Sequence, residues 1–398
     1  MTVHLDYEPI DADNHYYEPL DAFTRHLDPA FRQRGVQVLT DGKHTHVLIG
    51  GRVNRFIPNP TFDPIIVPGC IDPLFRGQIP AGVDPRSLVQ VAPLERSPEY
   101  RHRDARVAVA EGQGLGAAIL FPTLGCGVEE ALKGDVGATM ASLSAFNRWL
   151  EQDWGFAYRH RLVGAPMLSL ADPELAVGEV EYLLGRGARL VHVRPAPVPG
   201  PAGTSRSLGD RAHDPVWARL AEASIPVAFH LGDSGYDAFT ARWGGSAAFE
   251  AYADTSILSR VLVSDRAIHD TMASLIVDGV FHRHPTLRVA SIENGSDWVG
   301  LLLKRLKKQA NQTPWAFQDD PTDVLRRNVW VTPYYEEDLH RLAGIIGVER
   351  VLFGSDWPHG EGLAEPLQFV KELAGFDAHE VRRIMRDNVL DLLGVTAV

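Results

Sequence analysis

Asp13, His15, His230, Glu293 and Asp356 are the residues of this sequence whose types and surroundings suit chemistry. Asp13 and His15 are two apart, and alternation along an extended strand sends both to one face, together with Asp11. His230 closes an apolar run, Glu293 follows Ile292, and Asp356 lies in Gly354-Ser355-Asp356-Trp357-Pro358-His359. A lone histidine at a strand end is more often a hydrogen-bonded structural residue, and an aspartate there is often a helix cap. Four such residues, Asp13, His15, His230 and Asp356, each ending an apolar run, point instead to a site for one divalent cation. Zinc leads because it accepts mixed nitrogen and oxygen donors at four-coordinate geometry, with manganese and iron as alternatives.

Residues so far apart in the chain meet only if the elements between them bring them to one place. Eight short apolar or β-branched runs recur, at 9–14, 116–122, 162–168, 188–194, 226–231, 287–292, 329–332 and 351–355. Helix-length amphipathic stretches fall between them, at 140–153, 173–186, 214–223, 264–278, 300–309 and 336–344. Apolar strands alternating with helices predict a parallel sheet covered by helices. Eight units predict an α/β fold of the (β/α)8 TIM-barrel type, in which working side chains sit at the C-terminal strand ends. The whole chain, 1–398, then forms one domain.

The first unit is irregular. Roughly a hundred residues separate the first two runs, far more than a simple crossover needs, and nine prolines lie between Gly51 and Pro98. Proline at that density defeats both helix and strand, so about 40–100 is expected to be an ordered insertion or lid after strand one. Within it, 44–49 and 52–57 joined by Gly50-Gly51 predict a hairpin. At the other end, 363–373 and 377–393 have helical periodicity, with Gly375 and Gly394 as C-terminal caps.

Composition narrows the partners. Hydrophobic residues at 45% and charged residues at 23% are ordinary for a globular protein. A formal net charge of −12 argues against nucleic acid, whose phosphates need clustered Lys and Arg. The basic run 304–308 reads as a solvated helix face. No window approaches the ~18 apolar residues of a membrane span, and the N-terminus lacks a signal-peptide pattern. Cys70 and Cys126 are too few for a disulfide framework or thiolate cluster and suit a reducing compartment. A cytoplasmic enzyme acting on a small molecule is therefore expected.

The motifs resemble those of the amidohydrolase-related family, the branch of the metal-dependent amidohydrolase superfamily that includes aminocarboxymuconate-semialdehyde decarboxylase and γ-resorcylate decarboxylase. The matching pieces are 10–19 (IDADNHYYEP), 117–123 (AAILFPT), 225–230 (IPVAFH), 284–288 (HPTLR) and 351–361 (VLFGSDWPHGE), in the expected order along nearly the whole chain. The first and last are the most specific. The resemblance implies a metal held by Asp13, His15, His230 and Asp356, with Asp356, Glu293 and His230 around the reacting atoms. It also implies a dimer or tetramer.

Two departures bear on the chemistry. The usual His-x-His opening is Asp13-x-His15 here, and the sixth strand ends in Glu293 where the decarboxylases carry a catalytic histidine. Glu293 could ligate the metal, act as a base or orient a neighbour. Strand four ends in Val191-His192-Val193-Arg194 without the lysine of two-metal members, so one metal is expected. The resemblance puts non-oxidative decarboxylation of a cyclic or aromatic acid first, with hydrolysis of an ester, lactone or amide as the alternative and a non-catalytic barrel last. Arg76, Arg194, Trp298, Tyr334 and His359 are candidates for the substrate pocket: Arg76 as a carboxylate clamp, the aromatics as walls, His359 as a pocket residue or a partner of Asp356. Glu18 is read as the start of a helix beneath the site.

Overall fold

The computed structural model describes residues 5–79, 81–246 and 256–398; Pro80 and the first four residues, part of the sequence reading above, lie outside them. Seven parallel strands form two sheets. Ile10–His15, Ala117–Phe121 and Leu162–Gly164 make one; Val191–Val193, Val227–His230, Val289–Ile292 and Val329–Val331 make the other, each pairing its sequence neighbours. All seven are buried along their length, as expected for strands covered on both faces.

The third and eighth runs are less regular than their sequences predict. Pro166 has no N–H to donate, so the third strand stops at Gly164. Beyond it, Leu168 N donates to His192 O (2.8 Å) and His192 N to Pro166 O (2.8 Å), which joins the two sheets. The eighth run lies between the other two edges: Leu352 N bonds Val331 O (2.9 Å) on one side, and Ala12 N bonds Phe353 O (2.9 Å) on the other. Gly354 passes so close to the first strand that a Cβ there would stand 2.7 Å from the Asp13 Cβ.

Alternate strand residues point into a common interior. Ile10, Ala12, Ile119, Phe121, Val163, Ala228, Ile292, Trp330 and Leu352 form one apolar cluster there, separate from the cluster between sheet and helices. Leu352 is wholly buried in that cluster. Leu352→Ala should therefore cost about 2–5 kcal/mol in urea unfolding, the range for a buried Leu truncated in a core that cannot collapse. A loss below ~0.5 kcal/mol would mean the interior is not packed as described.

The expected helices are present with shifted ends: Val136–Asp153, Pro173–Gly185, Asp214–Glu222, Arg266–Val277, Asp297–Gln312 and Leu339–Ile346. The last starts late because Glu337 is used elsewhere, accepting from Ser296 N and Tyr334 N, which leaves Asp338 to cap through Arg341 N. In the tail, Pro366–Leu373 is a tight 3-10 helix. Asp377 and Glu380 form a capping box, and helical turns then run on to Leu393, ended by Gly394 at φ +69°.

Between Tyr16 and the Arg103–Gly112 helix the chain makes short pieces. Thr45–Ile49 pairs with Arg52–Val53 across Gly50 and Gly51, both at positive φ, as the hairpin pattern predicts, although its second arm ends well before Ile57. Val36–Thr40 adds a third strand that alternation did not suggest. Ile65–Ile66 pairs with Val91–Ala92. This region sits on the loop after the eighth run: Gly69 N donates to His359 O (3.1 Å) and Ile71 N to Gly360 O (2.9 Å). No helix among the described residues is long and apolar enough to cross a membrane.

Candidate metal centre

The strand ends bring five ionisable side chains to one point. His230 Nε2 lies 3.2 Å from His15 Nε2, 3.3 Å from Asp13 Oδ1 and 3.1 Å from Glu293 Oε2. His15 Nε2 is 3.5 Å from Asp13 Oδ1, 3.6 Å from Glu293 Oε2 and 3.3 Å from Asp356 Oδ1. Donor atoms of Asp13, His15, His230 and Glu293 all fall within 4.8 Å of one another. Asp356 stands one step aside, grouped with His15 and His359, because its Oδ1 is 2.6 Å from His359 Nδ1. Three of the expected ligands, Asp13, His15 and His230, thus meet Glu293 in one group, and the fourth, Asp356, joins His15 and His359 in a second group that shares His15.

Local backbone explains how these residues turn inward. A register shift between Asp11 and Asn14 breaks the ladder with Ala117–Phe121 and re-aims the end of the first strand. Glu293 (φ +56°) and Asp356 (φ +55°) both adopt the left-handed conformation that non-glycine residues avoid, at a cost of about 1–3 kcal/mol each that surrounding contacts must hold in place. Glu293 N donates to Thr332 Oγ1 (3.0 Å) and Tyr334 Oη donates to Glu293 O (2.9 Å). Asp356 N donates to Asp13 O (2.9 Å), and His359 N to Asp356 O (2.9 Å). His230 Nδ1 donates to Leu231 O (2.7 Å), which leaves Nε2 free to face the cluster.

The electrostatics describe a site built around a positive charge. Burial would raise the Asp13 carboxyl, but hydrogen bonds from His15 and His230 hold it below its usual range. Burial would lower His230, yet Cys126, Glu293 and Asp13 outweigh it and leave the imidazole well above its usual range. Asp356 is pushed well up by burial and then by Glu293. Two ring nitrogens and carboxylate oxygens converging at ~3 Å cannot all be satisfied by shared protons. One dication placed among them would take a lone pair from each of the four residues and offset their charge, and the donor set suits zinc, manganese or iron.

The other candidates divide. Tyr334 and His359 are at the centre, the first through Glu293 and the second through Asp356 and Thr123, whose Oγ1 is 3.3 Å from His359 Nε2. Arg76 is paired within the fold: its Nε bonds Asp72 (2.8 Å), its second arm bonds Glu372 (3.0 Å), and its guanidinium lies 4.3 Å over the Tyr335 ring. Arg194 is paired with Glu129 and Glu130. It lines a cleft of about 1020 Å³ with Glu130, Asp233 and Tyr236, and none of the five clustered residues borders that cleft. Trp298 is wholly buried in the core with its N–H on Gly295 O (3.0 Å), so it packs rather than walls a pocket. Glu18 starts no helix; its carboxylate accepts from the backbone N–H groups of Thr123, Leu124 and Gly125 and pins the loop after the second strand.

Three neighbours escaped the sequence reading. Cys126 Sγ is 3.7 Å from His230 Nδ1. His192 has its ring centroid 5.9 Å from that of His230. Arg106 reaches the end of the first strand from the Arg103–Gly112 helix, where nothing in the local pattern marks it out from its basic neighbours.

The chain is similar to known proteins along nearly its whole length. A family model described as amidohydrolase matches residues 10–395. An amidohydrolase from Mycobacterium avium subsp. paratuberculosis K-10 is 62% identical over 99% of each chain, with a TM-score of 0.95. A dihydroxybenzoic acid decarboxylase from Polaromonas sp. JS666, solved with bound manganese and an inhibitor, is 17% identical over 83% of this chain and 94% of its own, with a TM-score of 0.56. The 5-carboxyvanillate decarboxylase of Sphingomonas paucimobilis is 15% identical over 98% of this chain and 99% of its own, at 0.61. With a family model matched along nearly its full length and the ligand-type residues gathered at the strand ends, the chain belongs to the amidohydrolase family.

Proposed function

We propose that this chain is a single-domain, mononuclear metal-dependent hydrolase that cleaves an uncharged ester, lactone or amide. In this reading the two sheets and the backbone bonds linking them form one closed (β/α)8 barrel, and 40–100 is an insertion seated on the Asp356 loop. Asp13, His15, His230 and Glu293 would hold the cation, zinc or manganese; the fold relative from Polaromonas binds manganese. When bound, such a cation lowers the pKa of water from about 15.7 to about 7 and polarises a carbonyl. Asp356 stands beside His15 with His359 Nδ1 at 2.6 Å, placed to accept a proton from the attacking water and return it to the leaving group. Tyr334 holds the Glu293 backbone in its strained turn.

One observation carries the order of the two chemistries: the Glu293 carboxylate stands 3.1 Å from His230 Nε2, inside the ligand cluster. With the imidazoles neutral, Asp13 and Glu293 balance a dication, and Asp356 puts the site one negative charge in excess whenever its carboxyl is ionised. A substrate carboxylate ~4 Å from that excess charge meets about 4 kcal/mol of repulsion at an effective dielectric near 20. The arginines nominated to offset it, Arg76 and Arg194, are bound to carboxylates of their own. An uncharged carbonyl substrate avoids that cost.

Decarboxylation, which the family resemblance placed first, keeps one supporting observation. Burial and Glu293 push the Asp356 carboxyl well above its usual range, as a donor of a proton to carbon requires. The two readings separate on products. Metal-loaded protein incubated with simple lactones and esters, and separately with hydroxybenzoate-type acids, should release acid from the former and no CO2 from the latter. CO2 release with no ester or lactone cleavage would reverse the order.

A further inference from the structure

We infer that Arg106 is a positioning residue for the metal centre, acting through Asn14 and the His15 backbone; this rests on the metal reading above. Arg106 is 1% exposed. Its guanidinium donates to Asn14 Oδ1 (2.5 Å), to the His15 carbonyl (2.5 Å) and to the Glu99 carbonyl (2.9 Å), and lies 4.3 Å over the Trp357 ring. His15 ends the first strand, and Trp357 follows Asp356. A single planar cation therefore touches both segments that bring Asp13, His15 and Asp356 together.

The contacts continue on the far side of Asn14. Its Nδ2 donates to Asp11 Oδ2 (3.0 Å), which also accepts from Ser355 Oγ (2.5 Å). Asp11 Oδ1 accepts from Asp13 N (3.1 Å) and Ser355 N (3.0 Å). Asp11 is wholly buried and accepts four hydrogen bonds, so the network sets a buried carboxyl, held as an acceptor on both oxygens, against a buried cation with a neutral amide between them. An amide offers an acceptor and a donor at once, so Asn14 can face the cation with its oxygen and the anion with its nitrogen. Removing either charge leaves the other uncompensated out of water. Arginine is the fitting cation because a planar fork reaches several acceptors while its face stacks on an aromatic ring, which the point charge of lysine cannot do. Apart from the Glu99 carbonyl, every backbone group in the network belongs to a residue adjacent to, or itself, a proposed ligand or proton-handling group.

Cobalt(II) reports this role without any substrate. Affinity is read by competition with a chromogenic chelator, and coordination geometry by the visible d–d bands. Arg106→Met should weaken Co²⁺ binding about 10–100-fold, the usual effect of losing a residue that orients a ligand, and should change the band intensities. Arg106→Lys should fall between. The double variant Asp11→Asn/Arg106→Met removes both buried charges, so its Tm should recover relative to Arg106→Met while its Co²⁺ affinity stays low. That split is one a purely structural role would not produce. Wild-type affinity and spectrum in Arg106→Met overturn the inference. If Arg106→Met does not fold, wild-type affinity and spectrum in Arg106→Lys or in the double variant overturn it equally. A wild-type chain that takes up no Co²⁺ sinks the metal reading and this inference with it, a result distinguishable from wild-type-like variants.

Discussion

His230→Ala is expected to leave the protein with less than a tenth of an equivalent of tightly held metal, and to lower turnover by at least about 10³-fold, because water activation by the cation is lost. The reason lies in where Nε2 sits. It is within 3.3 Å of Asp13, Glu293 and His15, closer to both carboxylates than His15 Nε2, which stands 3.5 Å from Asp13 and 3.6 Å from Glu293. Its removal opens the centre of the cluster, whereas loss of Asp356 would remove a group that stands to one side, on His359. The fold should survive. His230 closes its strand at a position where the neighbouring backbone bonds, including Leu231 N to Ile292 O (3.2 Å), do not depend on the side chain. Metal analysis by mass spectrometry after gel filtration, with circular dichroism as the fold control, decides it. A variant that keeps one equivalent of metal would remove His230 from the ligand set.

Much of this site was legible because it obeys two simple periodicities. Strand alternation put Asp13 and His15 on one side, and recurrence of apolar runs put His230, Glu293 and Asp356 at run ends; the structure brings all five side chains to within a few ångströms. What sequence could not carry is the turning of the backbone after those runs. Glu293 and Asp356 adopt positive φ, and neither has the glycine or asparagine that would announce it. That rotation turns both carboxylates toward the cluster, Glu293 beside His230 and Asp356 between His15 and His359, a division that spacing alone does not reveal. Arginines posed the opposite difficulty. Arg76 and Arg194 looked available because their partners, Glu372 and Glu130, are remote in sequence or on another element. Arg106 looked ordinary because its acceptors are two carbonyls and an amide, which no charge pattern reveals. In the fold, the third and eighth strands were read as regular because apolar content does not report a missing N–H at Pro166 or a close approach at Gly354.

Glu293→Gln should lower hydrolytic turnover by at least about 10²-fold, because a proposed ligand of the water-activating cation loses its charge. The change keeps the shape of the side chain and the strained backbone, since Thr332 and Tyr334 hold Glu293 through its N–H and carbonyl and not through its carboxylate. It removes one negative charge from the cluster, leaving no excess over a dication even when Asp356 is ionised. Benzoate-type inhibitors should then bind more tightly than to the wild type, because the repulsion of about 4 kcal/mol expected for a unit charge at ~4 Å is gone; a tenfold gain needs only about 1.4 kcal/mol of it. The two effects move in opposite directions on one protein, and general damage to the site does not do that. Turnover of esters or lactones and inhibition by carboxylates, measured on the same metal-loaded preparations, give both numbers. Loss of turnover without tighter carboxylate binding would leave Glu293 as a ligand but remove the charge argument for an uncharged substrate. A gain of CO2 release from hydroxybenzoates in Glu293→Gln would mean that this single carboxylate is what separates the chain from the decarboxylases that share its fold.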